Sequence, residues 1–203
     1  MMDVLERFTA TSLSEEFYWF NEPQEVRLGD GLRILTKEKT DFWQNTHYGF
    51  RRDDGHCCFV RLPGDFSIVT HVSFQPQAQY DQCGLMIRAD SENWIKVSTE
   101  FEDEQVSRLG SVVTNLAYSD WATQDIPSSQ REMWYRIRKC GPDFLIEHAA
   151  DGQEWQQMRV THLHQLGTEL EVGLYACSPI GTGFWSHFRR IEISDNDWLP
   201  NGE

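Results

Sequence analysis

Glu100, Glu102 and Glu104 fall at every second position of STEFEDEQ, residues 98–105. A β-strand repeats its side chains with period two, so this spacing could line one face with carboxylates. Glycoside hydrolysis uses two carboxyl groups, roughly 5–5.5 Å apart for retention or 6.5–9.5 Å for inversion. Same-face neighbours on a strand lie ~6.7 Å apart, so Glu100 and Glu102 meet either requirement only if the strand runs regular through both. The sequence opposes this. Glu102-Asp103-Glu104-Gln105 is an unbroken polar run, and apolar residues resume only at Val106. Such a run between two strands reads as a hairpin turn. Glu100 is left as the one catalytic candidate of the stretch, and hydrolysis would need Asp41, Asp81 or Asp120 as its second carboxylate.

Upstream, Leu85 and Ile87 of GLMIR oppose Met86 and Arg88, and Ile95, Val97, Thr99 and Phe101 of WIKVSTEF oppose Trp94, Lys96, Ser98 and Glu100. Joined through Ala89-Asp90-Ser91-Glu92-Asn93 as an antiparallel hairpin, the two segments bring Arg88, Trp94, Lys96 and Glu100 onto a shared face. A carbohydrate presents apolar C–H surfaces and fans of hydroxyls, so its site needs an aromatic plate with charged or amide groups at the edge. Trp94, Trp121 or Trp43 would be the plate. The same residues also suit an ordinary solvated sheet face, with Lys96 and Glu100 satisfying only cross-strand electrostatics. Ser119-Asp120-Trp121 opens the longest irregular stretch, residues 119–131, where Asp120 and Trp121 either sit at a groove rim or organise a turn. Among the histidines, His187 with Tyr175 either faces that groove or is a hydrogen-bonded structural residue.

The elements that must position these groups are strands. No stretch beyond about ten residues holds a helical apolar period, whereas short segments of period two recur throughout. Strands are expected at 16–20, 32–36, 56–61, 66–75, 83–89, 94–101, 106–116, 133–139, 143–149, 154–159, 169–177 and 184–193. This pattern predicts an all-β sandwich or barrel of antiparallel sheets. Asp-Gly at 54–55 and 151–152 is placed where a tight hairpin needs positive φ, and Cys140-Gly141-Pro142-Asp143 breaks the chain between two strands. Without a linker, repeat or low-complexity tract, residues 1–203 read as one domain with its core over roughly 15–195.

The chain is 39% hydrophobic with eight Trp, enough large apolar side chains to repay the entropy of ordering. Its 18 basic and 32 acidic residues give a formal charge of −14, which opposes nucleic acid and anionic membranes as partners. No apolar run has the length of a membrane span, and MMDVLERFTATSL lacks the basic and apolar regions of a secretion signal, so the expected location is cytoplasmic. Five cysteines with no CxxC pair predict reduced thiols. Adjacent Cys57 and Cys58 on a strand would point to opposite faces, so His56-Cys57-Cys58 is not expected to hold a metal. No phosphate loop, serine elbow or H-E-x-x-H pair is present, and no cofactor is expected.

YDQCGLMIRADSENWIKVSTEF, SVVTNLAYSDW and VGLYACSPIGTGFWSHFRRIEI, with TDFWQNTHYG and HAADGQEW, resemble the domain family of unknown function often labelled "regulation of enolase", placed in the concanavalin A-like lectin/glucanase superfamily. The resemblance covers roughly residues 15–195. It implies a jelly-roll sandwich of two curved antiparallel sheets whose concave face carries ligands in many members of the superfamily. The positions that match its motifs are Asp41, Trp43, Asp81, Gln82, Arg88, Trp94, Lys96, Glu100, Thr114, Ser119, Asp120, Trp121, Ser178 and Pro179. His187 departs from the small or apolar residue expected there. The leading expectation is a domain that binds a carbohydrate or related polar metabolite on the concave face. The alternatives are a protein-interaction module regulating a metabolic enzyme, to which the family label points, and a glycoside hydrolase using Glu100.

Overall fold

The computed structural model describes residues 4–198. Among these, the chain forms β1 Val4–Glu6, β2 Tyr18–Phe20, β3 Glu25–Arg27, β4 Leu32–Leu35, β5 Phe42–Gln44, β6 Arg51–Asp53, β7 His56–Pro63, β8 Phe66–Gln75, β9 Gln82–Arg88, β10 Trp94–Phe101, β11 Val106–Asn115, β12 Tyr118–Pro127, β13 Glu132–Cys140, β14 Asp143–Ala149, β15 Gln156–His162, β16 Glu169–Cys177 and β17 Trp185–Ser194. An eight-stranded sheet runs β15-β14-β13-β8-β17-β4-β3, with β1 also on β17, and a seven-stranded sheet runs β12-β11-β10-β9-β16-β7-β2. Every pairing within them is antiparallel. This is the expected two-sheet, jelly-roll type of sandwich.

The alternation in β9 and β10 decides how the seven-stranded sheet lies. Leu85, Ile87, Ile95 and Val97 turn inward and are fully buried against Ile68, Val72, Tyr135 and Ile137 of the eight-stranded sheet. Tyr135 brings a hydroxyl into this core, and the Thr99 hydroxyl of the opposite sheet meets it at 2.7 Å. That pairing avoids a buried polar atom without a partner. Cys58 belongs to the same core, while Cys57 lies on the other face of the sheet.

A second apolar cluster occupies that other face. Cys57, Phe59, Met86, Trp94, Tyr175 and Cys177 are buried there beneath Phe42 of β5. The β5–β6 hairpin is a separate two-stranded sheet laid over the seven-stranded one. Its contact requires Gly55, because a Cβ at that position would stand 2.2 Å from the Phe42 ring.

Several expectations need correction. Gly55 has no positive φ, and the turn at 52–55 joins β6 to β7, which do not pair; the glycine serves ring contact instead. Gly141 (φ 57) and Gly152 (φ 72) do have the positive φ expected of hairpin turns, and Asp151 Oδ1 accepts from the backbone N–H groups of Gln153 and Glu154. The irregular stretch expected from Ser119 is strand β12, paired with β11 through Pro127. It is an edge strand, mostly exposed, so it has no apolar face to reveal it. Pro127 at its end fits an edge that need not donate to a further strand.

Candidate functional site

Beside the hairpin, the outer face of the seven-stranded sheet opens into a cleft of about 750 Å³. Its floor is Lys96 and Glu100 from β10 with Gln82 from β9, and its walls include Trp43, Tyr48, Tyr80 and Trp121. Register explains the floor: Glu100 lies directly opposite Gln82, and Lys96 shares its face four residues along the strand. The hairpin that walls the cleft is pinned to the sheet by a hydroxyl pair. Thr114 and Ser119 meet at 2.7 Å, and Ser119 Oγ accepts from the Gln44 N–H at 2.9 Å. Asn45 Nδ2 adds a bond to the Ala117 carbonyl.

The floor is polar, enclosed and tightly bonded. Lys96, whose side chain is only 4% exposed, donates to the Phe42 carbonyl at 2.9 Å and stands 3.3 Å from Asp41 Oδ1. Burial pulls its ammonium toward the neutral form, but Asp41, Cys177 and Glu100 together outweigh this and hold its pKa above the usual value. Gln82 Nε2 donates to Glu100 Oε2 at 2.5 Å, and the Tyr175 hydroxyl donates to Gln82 Oε1 at 3.2 Å. Burial, with Asp41 and Glu102 nearby, pushes the Glu100 carboxyl up to about 8 despite Lys96. The floor therefore offers an ammonium, an amide and a carboxyl that is protonated over much of the neutral range.

The backbone around the cleft is strained. His47 (φ 80) and Tyr80 (φ 71), both lining residues, and Asn45 (φ 51) in the same hairpin turn occupy the left-handed region. Bulky residues adopt it only where surrounding contacts hold them, and such strain concentrates at ligand sites. Here it aims the His47–Tyr48 tip and the Tyr80 ring at the cleft mouth.

The cleft collects some of the residues expected from sequence and leaves out others. Lys96, Glu100, Trp43, Asp120 and Trp121 line it. Trp94 does not serve as a plate: it is fully buried, its ring 6.1 Å from that of Phe42. Tyr175 is also sealed under the hairpin; its hydroxyl reaches the floor through Gln82, and its ring centre lies 5.9 Å from Lys96 Nζ. Thr114 is a buried anchor of the hairpin.

Arg88 lies at the far end of the same strands, 2.9 Å from Asp53 and 3.1 Å from Glu171, its guanidinium 4.4 Å over Phe20. Burial raises the Asp53 carboxyl there, and Arg88 counteracts it. His187 is on the opposite sheet, where Nε2 donates to the Asp30 carbonyl at 2.5 Å. β16 and β17 belong to different sheets, which separates His187 from Tyr175.

The acidic stretch divides as expected. Residues 102–105 form the β10–β11 turn, with Asp103 Oδ1 accepting from the Gln105 and Val106 N–H groups. Glu104 is exposed, and Glu102 pairs with Gln79 and Arg108.

Five lining residues, Thr46, His47, Tyr48, Tyr80 and Val112, were not anticipated as site residues. QNTHYG, polar and aromatic with a turn glycine, is the signal that could have marked the first three.

With the geometry in view, the relatives of the chain can be placed. A family model described as "Protein of unknown function (DUF1349)" matches residues 19–196. The chain belongs to that family. It is 35% identical over 181 residues to "Regulation of enolase protein 1" of Saccharomyces cerevisiae, covering 89% of this chain and 86% of that one. A crystal structure described as a functionally unknown protein from Saccharomyces cerevisiae superposes with a TM-score of 0.77 at 30% identity, covering 91% of this chain and 95% of that one. A xylan beta-1,4-xylosidase from Bacillus halodurans shares the fold, with a TM-score of 0.74 at 17% identity. The match covers 94% of this chain and 39% of the xylosidase.

Proposed function

We propose that this family member binds a carbohydrate or a closely related polyhydroxylated metabolite in the cleft. The observation that carries the reading is the Lys96–Glu100–Gln82 floor between aromatic walls. Donors and acceptors on the floor suit a fan of hydroxyls, and Trp121, 45% exposed, offers a ring to the C–H face of a sugar. The fold likeness to a xylosidase supports the reading only as an analogy of folds. Hydrolysis is less well supported. Asp41 lies against Lys96, Asp120 against Arg159 at 3.1 Å, and Asp81 accepts from the Gln77 and Ala78 N–H groups and from Ser178, so each candidate second carboxylate already has a partner. Isothermal titration against a panel of neutral and phosphorylated saccharides tests the proposal. At least one should bind saturably and lose affinity in Glu100→Ala and Gln82→Ala; no binder, or binding indifferent to both changes, contradicts it.

A second reading is a protein partner that this chain regulates. It is supported by the name of the yeast relative and by the exposure of Tyr48, Leu116, Tyr118 and Trp121, aromatic and apolar side chains in the hairpin turn, the β11–β12 turn and β12. A metabolic enzyme recovered in stoichiometric amount with wild type, and lost with Tyr48→Ala and Tyr118→Ala, is the expected result of a pull-down.

A further inference from the structure

We infer that the outer face of the eight-stranded sheet carries a second binding site, for a small ligand bearing two or more carboxylate or phosphate groups. The site is a groove of about 680 Å³ lined by Arg27, Arg33, Arg131, His187 and Arg189, on the face of the sandwich away from the cleft. In a chain with a formal charge of −14, such a gathering of guanidinium groups is a local reversal of sign.

Register makes the gathering unusual. Arg27 is the cross-strand partner of Arg33, and Arg33 is the partner of His187, so three basic side chains stand in one row across β3, β4 and β17. Like charges directly opposite each other destabilise a sheet, and nothing in the core requires this row. The next strands continue the row with Ser73 and Glu132.

Two further features add to it. The register between β17 and β8 shifts between Phe188 and Arg190, leaving Arg189 as the bulged residue, and its side chain joins the lining. A bulge of this kind re-aims a side chain at the cost of ladder regularity. Arg131 enters from the start of β13 with its Nη1 atom buried and without a hydrogen-bond partner.

The carboxylates nearby do not satisfy the groove. Arg27 pairs with Glu25, Arg33 with Asp30, Arg189 with Glu132 at 3.6 Å, and Arg131 with Glu104 at 4.0 Å. All four acids are between 46% and 90% exposed. Exposed pairs are held weakly and exchange readily for a better acceptor. Guanidinium forks bind carboxylate and phosphate oxygens through two parallel bonds, so several forks around one hollow suit a ligand with several such groups. The rim is rigid as well. His187 Nε2 is bonded to the Asp30 carbonyl, and a Cβ at Gly31 (φ 82) would stand 2.5 Å from that same nitrogen, so the β3–β4 turn is locked against β17. Burial and the nearby Arg189 and Arg33 lower the His187 pKa, consistent with a positive local potential.

Titration calorimetry on the full chain at low salt, with tripolyphosphate and citrate as probes and glucose as a neutral control, tests the inference. Saturable binding of either probe is expected: tripolyphosphate alone identifies phosphate, citrate alone carboxylate, and both the shared oxyanion chemistry. Binding should weaken as sodium chloride is added, and the double variant Arg33→Gln/Arg189→Gln should lose about tenfold or more in affinity. Both side chains are over 40% exposed, so the variant should melt with wild type; the single variants, each expected to bind in between, serve if it does not. The inference is overturned if neither probe saturates, or if the folded variants bind as wild type does.

Discussion

The two ends of β9 and β10 carry the same kind of chemistry and treat it differently. At one end Arg88 is clamped by Asp53 and Glu171, with the Phe20 ring beneath its guanidinium, and the ion pairs are covered, leaving Arg88 Nε and Asp53 Oδ1 buried without a hydrogen-bond partner. At the other end Gln82 and Glu100, joined by Lys96 from farther back along β10, are just as enclosed from below but look into an open cleft. The β5–β6 hairpin makes the difference, since it covers Trp94 and Tyr175 and stops short of Glu100. A charged residue on a sheet face thus becomes a closed structural ion pair or a binding group according to what a distant segment lays over it.

The largest break in this comparison should come from Arg88→Ala. Removing the cation leaves Asp53 and Glu171 facing each other partly buried, which costs about 3–5 kcal/mol in urea denaturation. Saccharide affinity of the folded fraction should stay at the wild-type value.

At the open end, Glu100 should write itself into the pH dependence of stability. Its carboxyl holds a proton up to about pH 8 in the fold, against 4.5 in the unfolded chain, so the folded state binds more protons between these values. Stability therefore falls as pH rises from about 4.5 to about 8, and Glu100→Gln removes that fall. Burial lowers the pKa of His56, His71, His148 and His187, which acts in the opposite direction, so the difference in melting temperature between variant and wild type is the quantity to follow.

Trp121→Ala should weaken saccharide binding by about tenfold. Because the indole is 45% exposed, its loss should move stability by no more than about 0.5 kcal/mol. The smallest effect belongs to Glu104→Ala. Its side chain is 90% exposed and lies 4.0 Å from Arg131, so denaturation and saccharide titration should both match wild type within about 0.5 kcal/mol.

The central strands were legible because burial on one face imposes a clean alternation, as in Leu85/Ile87 and Ile95/Val97. Of the five three-residue strands, β1, β3, β5 and β6 hold too little of a period to register, while β2 lies within the expected 16–20. β12 was hidden for the opposite reason, since an edge strand exposed along its length has no apolar face.

Within the site, Lys96, Glu100, Trp43 and Trp121 were readable from residue type and spacing. The fate of Trp94 and Arg88 was not. It depends on Phe42 and Asp53, which lie 52 and 35 residues away along the chain. For His187 the sequence left a groove position and a structural hydrogen bond both open, because nothing local says that β16 and β17 enter different sheets; the bond to the Asp30 carbonyl is the structural alternative.

Indole resonances in a heteronuclear NMR titration with the best-binding saccharide test the open-end assignment most directly. The account predicts that the Trp121 and Trp43 indole N–H signals move in a saturable way, while those of Trp94 and of Trp134 and Trp185 on the other sheet stay in place. Shifts at Trp94 or on the opposite sheet, with Trp121 and Trp43 unmoved, would contradict it.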